Sequence, residues 1–330
     1  MHPTRRQFTV ATLIAAALAA PTAGLAQAQP QAQAKPVRIL VGFPAGGGTD
    51  AIARVLAERL KDELGVPVIV ENKPGAGGQL AAQALKAAVA DGSTLFLSHD
   101  HTISVLPLVS KTPGFDPARD FTPVAGFASF VNALAVSPAT PARTLGEYTA
   151  WVRNSGQGKG VVGVPAPAST PEFMVKVLGE RSALDLVSAP YRGSAPMIGD
   201  MLGNQIAAGT GSVPDFIEHH RAGRLRILAV GGTRRQATLP EVPTLAEAGI
   251  TGFEDLPYYG FFAPTGTPKA ALDGFAAALS KVLAAPEVRE RLTALGLAVE
   301  FMSAAQLGAR EQAYTRSWAD IIRKTGFTPQ

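Results

Sequence analysis

The stretch FPAGGGTD, residues 43–50, decides the fold. It follows an apolar run, Val37, Ile39, Leu40 and Val41, that reads as a strand. It precedes residues 51–64, where Ile52, Val55, Leu56, Leu60 and Leu64 recur at helical spacing. The order is strand, three glycines, helix. Glycine lets the backbone turn sharply and lets a ligand approach without a Cβ in the way. Thr49 is suited to cap the helix. The helix start then offers free N–H groups and the positive end of the peptide dipole, which suits an anion. A tight turn with a purely structural job has the same pattern.

The alternation continues outward from this turn. Residues 66–71 read as a second strand, GAGG at 75–78 opens a helix over 79–90, and residues 94–98 read as a third strand. Strands alternating with helices through short loops imply right-handed β-α-β units in a doubly wound sheet, with ligands bound beyond the carboxyl ends of the strands. GAGGQL lacks the third glycine and the matching acidic residue of a dinucleotide fingerprint. The middle of the chain repeats the theme, with helix 145–154 and strand 161–164. A helix start follows at Ser169-Thr170-Pro171-Glu172, where Ser169 or Thr170 caps. Strand 186–189 leads through Gly193 into a short helix capped by Ser194. A weak strand at 206–208, a helix at 212–221 and a strand at 226–230 complete a second sheet. The runs 132–136 and 260–264 bracket this section and read as two crossings between lobes. The tail, 268–284, 286–295 and 303–324, reads as helical, with Ser303 and Gln306 forming a capping box. The expected division is lobe I at 36–134 plus 261–330 and lobe II at 135–260. The fold class is α/β, two lobes, each a doubly wound sheet flanked by helices.

The N-terminus reads as an export signal over residues 1–28. Arg5 and Arg6 precede a short apolar core, and cleavage is expected after Ala26 or Ala28. The order Thr4-Arg5-Arg6-Gln7-Phe8-Thr9 looks like a twin-arginine signal. Residues 29–35 read as a disordered leader. No later stretch is long and apolar enough to span a bilayer. Net charge is +4, or +2 without Arg5 and Arg6, and the basic residues are scattered, which is no nucleic-acid footprint. With no cysteine, thiol nucleophiles, thiolate metal sites and disulfides are excluded.

Six ordered motifs carry a resemblance. They are FPAGGGTD, VIVENKPGAGG at 68–78, APYRGSAP at 189–196, RAGRLRILAV at 221–230, LPEVPTLAEAG at 239–249 and FFAPTGTP at 261–268. In this order the chain resembles the solute receptors of tripartite tricarboxylate transporters, the Bug or TctC family. The resemblance implies a type II periplasmic-binding-protein fold, a Venus flytrap that closes on a small organic acid. Delivery would be to the transporter's membrane subunits, or, as an alternative, presentation to a membrane kinase. It implies ligand contacts at Pro44, Ala45, Gly46, Gly47, Gly48 and Thr49, with Gly77 and Gly78 bordering the cleft. In lobe II it implies Ser169 and Thr170, joined by Gly193 and Ser194 as a further helix start. The aromatic pair Tyr258 and Tyr259 precedes the return strand, and Tyr258 is taken as a ligand contact. The chain departs from the family pattern at Ser98-His99-Asp100-His101-Thr102. It departs again at Gly209-Thr210-Gly211-Ser212, where many members have an acidic residue.

His99, Asp100 and His101 have metal-ligating chemistry, but neighbours on a strand point to opposite faces and converge only at a turn. Their expected role is contact with an anionic ligand, or a His–Asp bond within the loop. Ser169, His101 and Asp100 suggest an exported hydrolase, but no GxSxG elbow is present. His219 and His220 read as a solvated helix face, and Trp151 and Trp318 as packing. The expectation is a periplasmic, monomeric receptor with no catalytic residue, metal or cofactor. With Gly211 at the commonly acidic position, and Asp100 left as a candidate partner for an ammonium, its carboxylate ligand is expected not to require an α-amino group, and a di- or aromatic carboxylate is expected to bind more tightly than glutamate or aspartate. It is expected to bind more tightly at pH 6 than at pH 8 if a histidine is cationic.

Overall fold

The computed structural model describes residues 35–155, 159–324 and 326–329. The export signal expected over 1–28, and the leader except Lys35, lie outside the described residues. Along the chain, β1 (Val37–Val41), α1 (Gly48–Leu64), β2 (Val68–Asn72), α2 (Gln79–Lys86) and β3 (Thr94–His99) come first. A π-helical turn, His101–Val105, and two single turns, α3 (Leu106–Val109) and α4 (Pro117–Asp120), lead to β4 (Phe121–Ser129). The chain then forms β5 (Asn132–Val136), α5 (Leu145–Ser155), β6 (Lys159–Val164), α6 (Thr170–Ser182) and β7 (Asp185–Pro190). Next come α7 (Ser194–Leu202), β8 (Ala208–Ser212), α8 (Val213–Arg221) and β9 (Arg226–Val230). It returns as β10 (Tyr258–Pro264), α9 (Lys269–Ala284), α10 (Pro286–Ala294), β11 (Ala298–Ser303) and α11 (Ala304–Lys324).

The strands form two mixed sheets, in the orders β11-β4-β10-β3-β1-β2 and β7-β6-β8-β5-β9. In the first, β1 runs parallel to both β2 and β3, and β10 is antiparallel to both β3 and β4. In the second, β6 is parallel to β7 and β8, and β5 is antiparallel to β8 and β9. Each lobe therefore has a parallel half, which puts the starts of its helices along one sheet edge.

The strands put the crossings a few residues earlier than the expected 134/135 and 260/261. All of β5 pairs in the second sheet and all of β10 in the first. The chain leaves through Phe130 and Val131 and returns before Tyr258. The two crossing segments lie side by side, with Phe130 N–H donating to the Pro257 carbonyl at 3.1 Å. Two strands were not anticipated. β4 carries Pro123 and Gly126, and its pairing with β10 shifts register at Tyr259/Gly260 and Phe261/Phe262, beside both residues. β11 interrupts the tail that reads as all-helical, and Ser303 and Gln306 cap α11 as expected.

The lobes share an aromatic contact away from the cleft. Trp318 on α11, 2% exposed, lies 5.6 Å from Phe173 on α6 and 6.1 Å from Tyr314. Truncating a buried ring removes transfer energy and leaves a cavity. Trp318→Ala is expected to cost about 3–5 kcal/mol, read as a lower urea midpoint at unchanged slope. A loss under about 1 kcal/mol would contradict this packing role.

Candidate functional site: a cleft between the lobes

A small cavity of about 40 Å³ lies between the sheets. Phe43, Thr49, His99, Asp100, His101, Phe130 and Tyr259 line it from the first lobe and the crossing. Asn132, Pro165, Ala166, Ser169, Thr170, Pro171, Ser194, Ser212 and Asp215 line it from the second.

The glycine turn works differently from its sequence reading. Gly47, not Thr49, is the N-cap of α1, and only Gly46 of the three glycines has positive φ, +84°. Gly46 N–H donates to Asp50 Oδ2 at 3.0 Å. Burial works against ionisation of Asp50, but hydrogen bonds from Arg54, Gly46 N–H and Asn72 outweigh it and hold the carboxyl below its ordinary range. Gly48 N–H donates to Asp215 Oδ1, in the other lobe, at 3.0 Å. Ser194 Oγ donates to the same oxygen at 2.6 Å, and Ser212 donates its N–H at 3.0 Å and its hydroxyl at 2.6 Å to Oδ2. The starts of α1, α7 and α8 thus converge on one internal carboxylate. The Gly46 and Gly48 amides expected to meet a ligand anion are bonded to protein carboxylates, while Thr49 does line the cleft. Ala45 is exposed, and Pro44 packs on Gly193.

Asp215 places an acidic group beside Gly211. A Cβ built on Gly211 would lie 3.3 Å from Asp215 Oδ2, so the carboxylate fills the space beside Gly211. Gly211 itself does not line the cleft. An acid is therefore present beside Gly211, with both of its oxygens engaged by protein donors. The sequence did hold a signal, since Ser212-Val213-Pro214-Asp215 has capping-box spacing.

Of the aromatic pair, Tyr259 is in the cleft and Tyr258 is not. Successive residues of β10 face opposite sides. Tyr259 Oη lies 3.2 Å from Thr49 Oγ1, whereas Tyr258 Oη bonds Ser104 Oγ at 2.7 Å and meets Tyr314 edge-on. Burial raises the pKa of both phenols. Gly77 and Gly78 brace rather than line the cleft. The Gly77 carbonyl accepts from Thr102 Oγ1 at 2.7 Å, and a side chain at Gly77 would strike the His101 ring.

His99, Asp100 and His101 do converge, because β3 ends at His99 and the chain enters its π-helical turn. His99 stacks on Phe43 at 5.0 Å, and its Nδ1 lies 3.2 Å from Asp100 Oδ1. Asp100 Oδ2 accepts from Thr170 Oγ1 of the second lobe at 3.4 Å. His101 is buried, and neither ring nitrogen has a hydrogen-bond partner. Burial first, then the neighbouring His99, push its pKa down to about 4. Burial thus favours its neutral form near neutrality. Among the described residues no group of three His, Asp or Glu side chains could hold a metal.

Ser169 is the N-cap of α6 by position, but its hydroxyl donates to the Ala166 carbonyl at 2.7 Å, so no Ser–His pair is assembled. Gly193, not Ser194, is the N-cap of α7. His219 and His220 are half-buried rather than solvated, and His220 Nδ1 accepts from Ile227 N–H at 3.2 Å. Trp151 is half-buried and stacks on Tyr148 at 6.3 Å.

A two-lobed α/β fold with a cleft walled by helix starts defines the periplasmic-binding-protein class. The family described as tripartite tricarboxylate transporter family receptor matches residues 52–327. Protein BugT of Bordetella pertussis is 32% identical over 329 residues, covering 99% of both chains. The structure of the periplasmic binding protein BugD superposes with a TM-score of 0.84 at 30% identity, covering 89% of this chain and 99% of that one. Rpa4515 of R. palustris, solved with adipate, gives a TM-score of 0.84 at 28% identity, covering 89% and 98%. The chain belongs to the tripartite tricarboxylate transporter receptor family, whose members are periplasmic solute-binding proteins. No helix among the described residues is long and apolar enough to cross a membrane.

The depressed pKa of His101 gives stability a pH dependence of known sign. Its pKa is about 4 in the fold against 6.5 unperturbed. Between these values the unfolded chain binds the proton and the folded chain does not, so this residue's contribution is lost as pH falls from 6.5 towards 4. Glu311, pushed up to about 7 by burial, titrates in the opposite sense. The prediction is therefore a difference between proteins. The stability gap between wild type and His101→Asn should shift against wild type by on the order of 2 kcal/mol from pH 7 to pH 4.5, measured by urea unfolding. A gap independent of pH would contradict it.

Proposed function

We propose that the protein captures a small organic carboxylate in this cleft and delivers it to a tripartite tricarboxylate-type membrane permease. The carrying observation is the buried His101, whose ring nitrogens have no partner and which lines the cleft beside Ser169 and Thr170 at the start of α6, because an open N–H donor near a helix start suits a carboxylate group. The adipate of the R. palustris relative supports a carboxylate as the group recognised. Phe43, His99, Phe130 and Tyr259 supply an apolar wall, and Thr49, Asp100, His101, Ser169, Thr170 and Ser194 supply polar contacts. The protein binds its solute without transforming it, and acts as a monomer. Closure is an equilibrium that the ligand shifts by touching both lobes.

Two measurements test this. In a thermal-shift screen of the mature protein, carboxylates should be the stabilising class among organic acids, amino acids and neutral vitamins. At a hundred times its dissociation constant a ligand adds about 2.7 kcal/mol, a shift of several degrees. Stabilisation by neutral compounds alone would contradict the reading. Export through the twin-arginine route predicts that changing Arg5 and Arg6 to Lys strands the precursor in the cytoplasm. Normal periplasmic accumulation would contradict that route.

A further inference from the structure

We propose that Asp215 sets the charge specificity of the cleft. Its carboxylate holds the anion position where α1, α7 and α8 begin, so the receptor selects ligands with one carboxylate over dicarboxylates. This rests on the carboxylate-receptor reading above and narrows its ligand class.

A carboxylate offers about four lone-pair sites, and Asp215 receives four donors: Gly48 N–H, Ser194 Oγ–H, Ser212 N–H and Ser212 Oγ–H. A ligand carboxylate arriving at the Gly48 amide must displace Asp215. The displaced charge would then lose these donors inside a closed cleft, and an unpaired buried charge is costly. Asp100, 2% exposed, lines the same cavity, and among the described residues no Lys or Arg side chain does. A second anionic group on the ligand therefore meets two carboxylates and no cation.

A donor remains for one ligand carboxylate. His101 is buried against the cavity with both ring nitrogens unpartnered, and a neutral imidazole donates one N–H. It lies beside Asp100, which bonds Thr170 at the start of α6. The cleft thus has two ends, one satisfied from within by Asp215 and one with an open donor.

The test compares matched acids by calorimetric titration: adipate against hexanoate and succinate against butyrate. They are titrated into wild type, Asp215→Asn and Asp215→Ala. Asp215→Asn keeps the side-chain shape, and thermal unfolding checks that each variant is folded. Wild type should favour the monocarboxylate of each pair. In the variants the ratio of dicarboxylate to monocarboxylate affinity should rise at least tenfold. Three outcomes overturn the proposal: a wild type that prefers the dicarboxylate, a ratio that the substitutions leave unchanged or lower, or folded wild type and variants that bind none of these acids. Failure of the carboxylate reading is separable, because it shows as stabilisation by non-carboxylates alone in the ligand screen.

Discussion

The contact between the lobes at the cleft centres on one carboxylate shared between them. Asp215 sits in the first turn of α8, yet one of its oxygens accepts from the Gly48 amide of the opposite lobe. That contact needs both backbones to come close, which accounts for the small residues around it. A Cβ on Gly48 would lie 2.9 Å from Asp215 Oδ1, and one on Gly47 would lie 3.0 Å from Ser194 Oγ. Gly193, at φ +108°, accepts the Pro44 ring against its backbone. The glycines of the first turn thus allow the close approach between the lobes.

Around this contact the cleft divides by chemistry. Phe43, His99, Phe130 and Tyr259 form an aromatic cluster with ring centroids 4.8–6.0 Å apart in the pairs that touch. Such a wall suits the apolar part of a small molecule. The π-helical turn after β3 holds Asp100 and His101 inward, braced by the bond from Thr102 to Gly77. Burial keeps His101 uncharged near neutrality, so it contributes direction rather than charge. α11 joins the lobes from the far side through Trp318 and Phe173. The lobes thus also meet through a packed aromatic contact.

The parts of the fold legible in the sequence were those with strong local signals. The β1–α1–β2–α2–β3 run follows from glycine turns and clean periodicity, and the capping box of α11 from Ser303 and Gln306. β4 was hidden because Pro123 and Gly126 break its strand pattern and are accommodated beside register shifts. The crossings were displaced because Val131 to Val136 is apolar apart from Asn132, so nothing local marks where one sheet ends. At the site, Tyr258 and Tyr259 have the same composition signal, and only strand register tells which one faces the cleft. Asp215 was missed for a different reason. Locally it is a helix-capping acid, and its second role arises from a partner 167 residues away. Gly211 pointed to a missing acid, while the space beside it was filled from the next helix.

The most direct measurement is hydrogen exchange of the Gly48 amide, followed by NMR in wild type and Asp215→Ala. If the lobes close through this bond, Gly48 is protected in wild type. Its exchange should quicken at least tenfold in the variant, while Ile52 within α1 is unchanged. Equal exchange at Gly48 in both proteins, or exchange at the rate of a free amide in wild type, would contradict closure through Asp215.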